Sequence, residues 1–135
     1  KQSVKSAVRY NEAGNTFVQH YQPKEVIEAC NNIKLQAIDQ LPVDFAPINK
    51  NLAVTKLHYI FPIPKSFSNK QIEAINNGAI IYKGTKPDIT DNLNKGLFDA
   101  LQGIVYINDS LICTMDDVKK YYGVVPKTIL VLETL

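Results

Sequence analysis

The stretch KPDITDNLNKGLFDALQG, residues 86–103, carries the decisive pattern of the chain. Leu93, Leu97, Ala100 and Leu101 fall on one helical stripe, Asp91 or Thr90 supplies an N-cap, and Gly103 stands just past the end, so a helix is predicted between them. A helix alone does not call for Asp88 and Asp91 crowded at its start with Lys95 one turn in. Asp91 and Lys95 are four apart and share a helical face, with Asp88 just upstream and Asp99 a turn further on. One reading is a capped start whose carboxylates the helix dipole favours, extended by surface ion pairs worth ~0.3–0.5 kcal/mol each. The other is that Asp88, Asp91 and Asp109 converge on Mg²⁺, a hard ion that takes oxygen ligands and keeps waters for substrate phosphates, while Lys95 stabilises developing negative charge.

Working outward, the stretch 104–107 is short and apolar and is predicted to be a strand, followed by a turn at Asn108, Asp109 and Ser110. Four strand residues span about 13 Å, close to the length of the preceding helix, so this strand is expected to return Asp109 beside the helix start. Residues 111–115 read as a further strand running on toward Tyr122, and residues 128–132 as the last one. Upstream, the run 52–61 is β-branched, aromatic and aliphatic, and Pro62-Ile63-Pro64 ends it. Ser68 and Gln71 form a capping-box signature for a short helix carrying Ile72 and Ile75 and closed by Gly78, with a short strand expected at 79–82. From Pro23, the positions Val26, Cys30, Ile33, Ala37 and Leu41 recur at helical spacing until Pro42. Before them, apolar and polar residues alternate on both sides of the turn formers at 11–15, which predicts a β-ribbon.

A chain of 135 residues suits one domain spanning 1–135, of α+β class, with a mixed β-sheet and two to three helices. Antiparallel pairs are expected near the C-terminus, where connections are short. With 45% hydrophobic and 21% charged residues and no apolar run of membrane-helix length, a soluble, cytoplasmic protein without membrane contact is expected. Cys30 and Cys113, in a chain with no visible signal peptide, read as buried thiols of an intracellular protein. A net charge of +2 does not announce nucleic acid, so that case rests on where the charges lie. There is no glycine-rich phosphate loop, Cys-x-x-Cys pair or Gly-x-Ser-x-Gly elbow, which argues against nucleoside triphosphates, zinc and serine hydrolysis.

The run KPDITDNLNKGLFDALQGIVYINDS resembles the central signature of the RusA-type Holliday junction resolvases, where K/R-P-D-x-D-N-L-x-K, D-A-L-x-G and a later D-D or N-D follow in this order. The likeness is close over 86–110, and QPKEVIEA upstream with KKYYG at 119–123 is also similar to phage and prophage members. The resemblance implies a RusA-like fold and a small homodimeric, Mg²⁺- or Mn²⁺-dependent endonuclease that nicks four-way DNA junctions symmetrically. Carried over by position, the metal-binding aspartates are Asp88, Asp91 and Asp109, and the catalytic lysine is Lys95.

Two departures stand out. The family's D-x-D becomes D-x-x-D through Thr90, so in extended backbone Asp88 and Asp91 no longer point to one side and a turn must realign them. The family's opening strand and its Pro- and Lys-bearing motif are missing or cut to Lys1. The alternative function is a non-catalytic protein of the same fold that binds branched DNA and has lost cleavage through the altered spacing.

Lys1, Lys5, Arg9 and Lys24, with Tyr10, His20 and Tyr21 between them, are the mix that grips a phosphate backbone, and equally the mix of an ordinary solvated face. Lys65, Lys70, Lys83 and Lys86 flank the acidic cluster and are candidates to neutralise neighbouring phosphates. Lys119, Lys120 and Lys127 read equally well as plain surface charge, and His20 and His58 as isolated histidines. Phe67, Tyr106 and Tyr122 are the candidate dimer-interface residues.

Overall fold

Eleven residues of one strand, LAVTKLHYIFP, organise the molecule. In the computed structural model, which describes residues 9–10, 15–20 and 29–135, the chain runs β1 (Arg9–Tyr10), β2 (Asn15–His20), α1 (Ala29–Gln40), β3 (Leu52–Pro62), α2 (Asn69–Asn76), a wide helical turn at Ile89–Leu93, α3 (Asn94–Leu101), β4 (Ile112–Met115), β5 (Val118–Gly123) and β6 (Lys127–Thr134). The strands form a six-stranded mixed sheet in the order β1-β2-β6-β3-β4, with β5 also paired to β3. The α+β class with one mixed sheet, expected from the sequence, is present. β6 lies antiparallel to both β2 and β3, whereas β4 and β5 run parallel to β3.

β3 puts Leu52 and Val54 on the core face and then Leu57, Tyr59 and Phe61, so the inward positions change from even to odd numbers. Strict alternation would turn one half outward. A β-bulge resolves the conflict: the register against β6 shifts between Val54 and Lys56, leaving Thr55 as the extra residue. Its hydroxyl reaches the Val131 carbonyl at 3.4 Å. At the same level the opposite neighbour is kinked, for Asp116 and Asp117 separate β4 from β5 and Asp117 takes a left-handed φ of 51°. Pairing survives the kink, because Asp116 N–H donates to Val54 O at 2.8 Å and Leu57 N–H to Asp117 O at 3.0 Å.

One face of the sheet is covered by α1 and α3, whose Ile33, Ala37, Leu97, Phe98, Ala100 and Leu101 join Phe17, Leu130 and Leu132 in the core. α1 ends at Gln40, two residues before Pro42, and that glutamine is buried. Its amide accepts from Val18 N–H at 2.8 Å and donates to Val18 O at 2.7 Å. Through these two bonds Gln40 satisfies both backbone groups of Val18 and ties the end of α1 to β2. The expected start of this helix at Pro23 and Val26 lies outside the described residues. α2 carries the expected capping box: the Ser68 hydroxyl accepts from Gln71 N–H and the Gln71 side chain accepts from Ser68 N–H.

Four expectations are corrected. Residues 104–107 form a turn, buried at its centre, instead of a strand: Gly103 N–H donates to Tyr106 O, and Ile104 and Val105 N–H donate to Leu101 O. Val105 and Tyr106 are wholly buried, and Ile48 serves as the backbone partner on both sides of Tyr106, so an apolar run here signals burial and not extension. The strand at 79–82 shrinks to a bridge between Tyr82 and Tyr121 along the outer edge of β5. β5 and β6, although closely connected, flank β3 instead of pairing. Cys113 is exposed on β4, whose side chains have little above them, while the side chain of Cys30 lies outside the described residues.

Gly123 ends β5 against the buried Ile60, where an added Cβ would sit 2.5 Å from Ile60 Cγ2. Because a β-branched side chain is stiff, Gly123→Ala is expected to cost about 1–3 kcal/mol, read as a lowered thermal or denaturant midpoint.

Candidate active site at the start of helix α3

The acidic signature begins with an unusual turn. Asp88 O accepts from Leu93 N–H at 2.9 Å and from Asn92 N–H at 3.3 Å, and Asn94 N–H donates to Ile89 O, which is the i→i+5 pattern of a π-helical turn. Such a turn holds one more residue than an α-turn. It takes in the additional residue of Asp88-Ile89-Thr90-Asp91 without breaking the helix that follows. The N-cap is therefore Asp88, in place of the expected Asp91 or Thr90, and its side chain makes no capping hydrogen bond. Asp88 and Asp91 are both exposed.

α3 is seated from below by the sheet. The Tyr59 hydroxyl donates to Asn94 Oδ1 at 2.7 Å, tying the first residue of the helix to the centre of β3. Lys95 lies on the solvent side, its ammonium 3.5 Å from Asp99, with side chains 75% and 55% exposed, so this pair is loose. Asp91, Asn92, Lys95 and Asp99 line an open hollow of about 440 Å³, and Lys34 of α1 closes it. Lys34 was not among the sequence candidates, because only the packing of α1 on α3 brings it there.

Asp109 is placed differently. It begins a short 3₁₀ turn, Asp109–Leu111, capped by Asn108 Oδ1. Its N–H donates to Gln102 Oε1 at 2.9 Å, which holds it by the C-terminal end of α3. The strand expected to carry it back along the helix is the turn at 104–107. Among the described residues no three Asp, Glu, His or Cys side chains gather closely enough to hold a metal ion. The donor chemistry nevertheless suits a hard cation, since Mg²⁺ commonly takes one or two carboxylates and completes its shell with water and phosphate. Near Asp109, burial, helped by the charges of Asp109 and Asp99, raises the Tyr106 phenol far above the usual tyrosine range. It stays neutral and donates to Phe98 O at 2.7 Å.

The loop leading into Asp88 is fastened to β5. Lys83 N–H donates to Lys120 O and Tyr122 N–H to Ile81 O. The Lys83 ammonium sits 5.2 Å and 5.5 Å from the ring centres of Phe61 and Tyr122 and donates to Thr85 Oγ1 at 2.7 Å. Lys120 donates to Thr85 O at 2.6 Å and Pro87 O at 2.7 Å. Lys86, joined to Pro87 by a cis peptide, is exposed. Lys83 and Lys120 are thus built into the loop, whereas Lys86 is available to solvent. Lys1, Lys5, Lys24 and the side chain of Arg9 lie outside the described residues.

A second cluster occupies the other face of the sheet. His58, read from sequence as isolated, bonds Asp117 Oδ2 through Nε2 and the Tyr121 hydroxyl through Nδ1, both at 2.9 Å. Lys119 bonds Asp117 Oδ1 at 2.9 Å. The Lys119 ammonium, with His58 behind it, holds the Asp117 carboxyl below the usual carboxylate range, while burial raises the Tyr121 phenol.

The profile of endodeoxyribonuclease RusA matches residues 3–133. The chain belongs to the RusA family. Resolvase nucleases of the RusA kind are generally divalent-metal dependent. The chain is also 40% identical over 68 residues to the uncharacterized protein YqaN of Bacillus subtilis (strain 168), a match covering 49% of this chain and 46% of that protein. It thus spans about half the length of this relative. No solved structure matches. In RusA terms, the signature at 86–103 forms the fastened loop, the π-turn and α3, and KKYYG forms the strand that fastens them.

Since folding favours the ionised form of Asp117, its stabilisation is present above the unfolded carboxylate value of about 3.9 and is lost as pH falls through the lower folded value. Thermal unfolding followed from about pH 6 down to pH 2 should therefore show a shallower acid decline in Asp117→Asn than in the parent chain.

Proposed function

We propose that this chain is a junction-resolving endodeoxyribonuclease that nicks four-way DNA junctions symmetrically in recombination and repair, in the cytoplasm, using Mg²⁺ or Mn²⁺. The observation that carries the reading is the RusA match over residues 3–133. Its acidic signature is displayed, uncapped and exposed, at the start of a helix seated on the central strand. Rigid seating matters because positioned groups contribute to catalysis only when held near the productive geometry.

Asp88, Asp91 and Asp109 are the residues proposed to hold the ion, with DNA phosphate oxygens completing a set that the described residues do not gather by themselves. A bound ion of this kind polarises a phosphoryl oxygen and lowers the pKa of water. Lys95 is proposed to leave its loose contact with Asp99 for the scissile phosphate and to stabilise negative charge there. Lys34, on the rim of the same hollow, and the exposed Lys86 would neutralise flanking phosphates, and Lys1, Lys5, Arg9 and Lys24, from the N-terminal part of the chain, would grip a duplex arm.

Symmetric cutting needs two such sites, and a two-fold dimer supplies them. Tyr106 is fully buried and cannot serve as an interface residue. Phe67 and Tyr122 are half-buried and engage each other edge to face, with ring centres 5.0 Å apart. The exposed Ile80, Val124 and Val125, which border one hollow with Gly123, and Tyr82 nearby in the chain are the better candidates.

A synthetic four-way junction incubated with the protein and Mg²⁺ or Mn²⁺ should be nicked at opposed positions. Asp91→Asn should abolish nicking while leaving junction affinity unchanged or higher, because it removes a carboxylate beside the phosphates; full activity in that variant would overturn the site. Light scattering of the free protein should give a dimer, whose interface is expected to bury more than ~1,000 Å². A monomer at all micromolar concentrations, with and without junction DNA, would count against symmetric cutting.

A further inference from the structure

We propose that Lys120 is a positioning residue for Asp88, acting through the backbone that precedes it. The proposal rests on the nuclease reading above for the role of Asp88. Lys120 sits on β5, opposite Tyr59 of β3, and is half-buried. Its ammonium donates to two carbonyls of the same loop, Thr85 O at 2.6 Å and Pro87 O at 2.7 Å. The second belongs to the peptide group whose nitrogen is that of Asp88, so the lysine sets the orientation of that peptide plane.

The next carbonyl along, Asp88 O, closes the π-turn by accepting from Asn92 and Leu93. The backbone of Asp88 is therefore held on both sides, by a strand lysine before it and by the helix start after it. This matters for an acid whose side chain makes no capping bond and has no hydrogen bond to the helix start. Lys83 clamps the same loop through Thr85 Oγ1, but only at its beginning. A charged donor suits the task, since bonds from an ammonium to a carbonyl are stronger than neutral ones and an ammonium can serve two acceptors at once. With both bonds made, Lys120 points into the protein loop and is not a phosphate contact.

The test compares the parent chain with Lys120→Met, which keeps the apolar stem but cannot donate, and Lys120→Arg, which can still serve two carbonyls. In the free protein, hydrogen exchange at the Asn92 and Leu93 amides should be about tenfold faster in the methionine variant, with β3 and β6 amides unchanged and the arginine variant close to the parent. If these two amides exchange as before, the proposal is overturned, whether or not the protein cleaves DNA. Should the methionine variant fail to fold, Lys120→Gln, a neutral donor of shorter reach, takes the same measurement.

On a synthetic junction with Mg²⁺, Lys120→Met should lower kcat by about 10²-fold at nearly constant KM, as expected when a reacting group is misplaced by about an ångström, and Lys120→Arg should recover most of that loss. A raised KM with kcat intact, together with a flatter salt dependence of junction binding, would make Lys120 a DNA anchor and overturn the proposal. If the parent chain cleaves no junction with either metal, the nuclease reading fails, and the exchange measurement still decides whether Lys120 holds the Asp88 backbone.

Discussion

The single extra residue at Thr55 is the constraint on which the sheet depends. An eleven-residue strand that must bury its side chains on one face along its whole length needs an unbroken alternation, and β3 does not have one. The bulge switches the alternation, bringing Leu57, Tyr59 and Phe61 onto the face already used by Leu52 and Val54. Bulging one strand bends it, and the parallel neighbour follows with a kink at the same level, where Asp117 adopts the left-handed conformation that aspartate tolerates better than most residues. The Asp117 carboxylate then bonds both His58 and Lys119. The His58 cluster is, in this view, a strut that holds the kinked edge strand to β3.

The same bulge reaches the candidate site through Tyr59. Because the odd-numbered half of β3 faces the helices, the Tyr59 hydroxyl meets Asn94 and fixes where α3 begins. Parallel pairing sets Lys120 beside Tyr59 in register, facing the same way, so its ammonium meets the loop before Asp88. Helix start and preceding loop are thus referenced to neighbouring positions of one sheet. Between them the π-turn takes up an additional residue, and the signature carboxylates Asp88 and Asp91 remain at the surface. Wide turns of this kind recur at functional sites because they reorient side chains at small cost to the helix.

Asp109 shows the other side of this arrangement. Gln102 accepts from its backbone N–H, Asn108 caps the short turn it begins by accepting from Ser110 N–H, and the turn from Gly103 to Tyr106 anchors the segment in the core through the phenol of Tyr106. On the proposed function, the third acid and the first two belong to separately anchored pieces of backbone, and it is the DNA phosphate that links them. Binding and gathering of the site would then be coupled, a feature that sets catalysis to the right substrate at some cost in speed.

What could be read from sequence alone is what local energetics decide. The apolar stripe of α3, the glycine after it, the Ser68 capping box and the β-branched run of β3 each express hydrogen bonding or burial among residues a few positions apart, and these features are present in the structure. The signature at 86–103 was legible as an acidic helix start, and the residue added between its first two acids is taken up by the π-turn. Beyond that reach the sequence is silent. The apolar residues 104–107 satisfy a strand and a turn equally, and partners far upstream or in the core, the backbone of Ile48 and the Phe98 carbonyl that takes the Tyr106 hydroxyl, go with the turn. Gln40 finds Val18 across 22 positions, Lys120 finds Pro87 across 33, and His58 finds Asp117 across 59. Such partners are set by strand register and by which face each strand presents, and in β3 that depends on one bulged residue. Propensity and periodicity carry no term for it, so these contacts exist only once the sheet has formed.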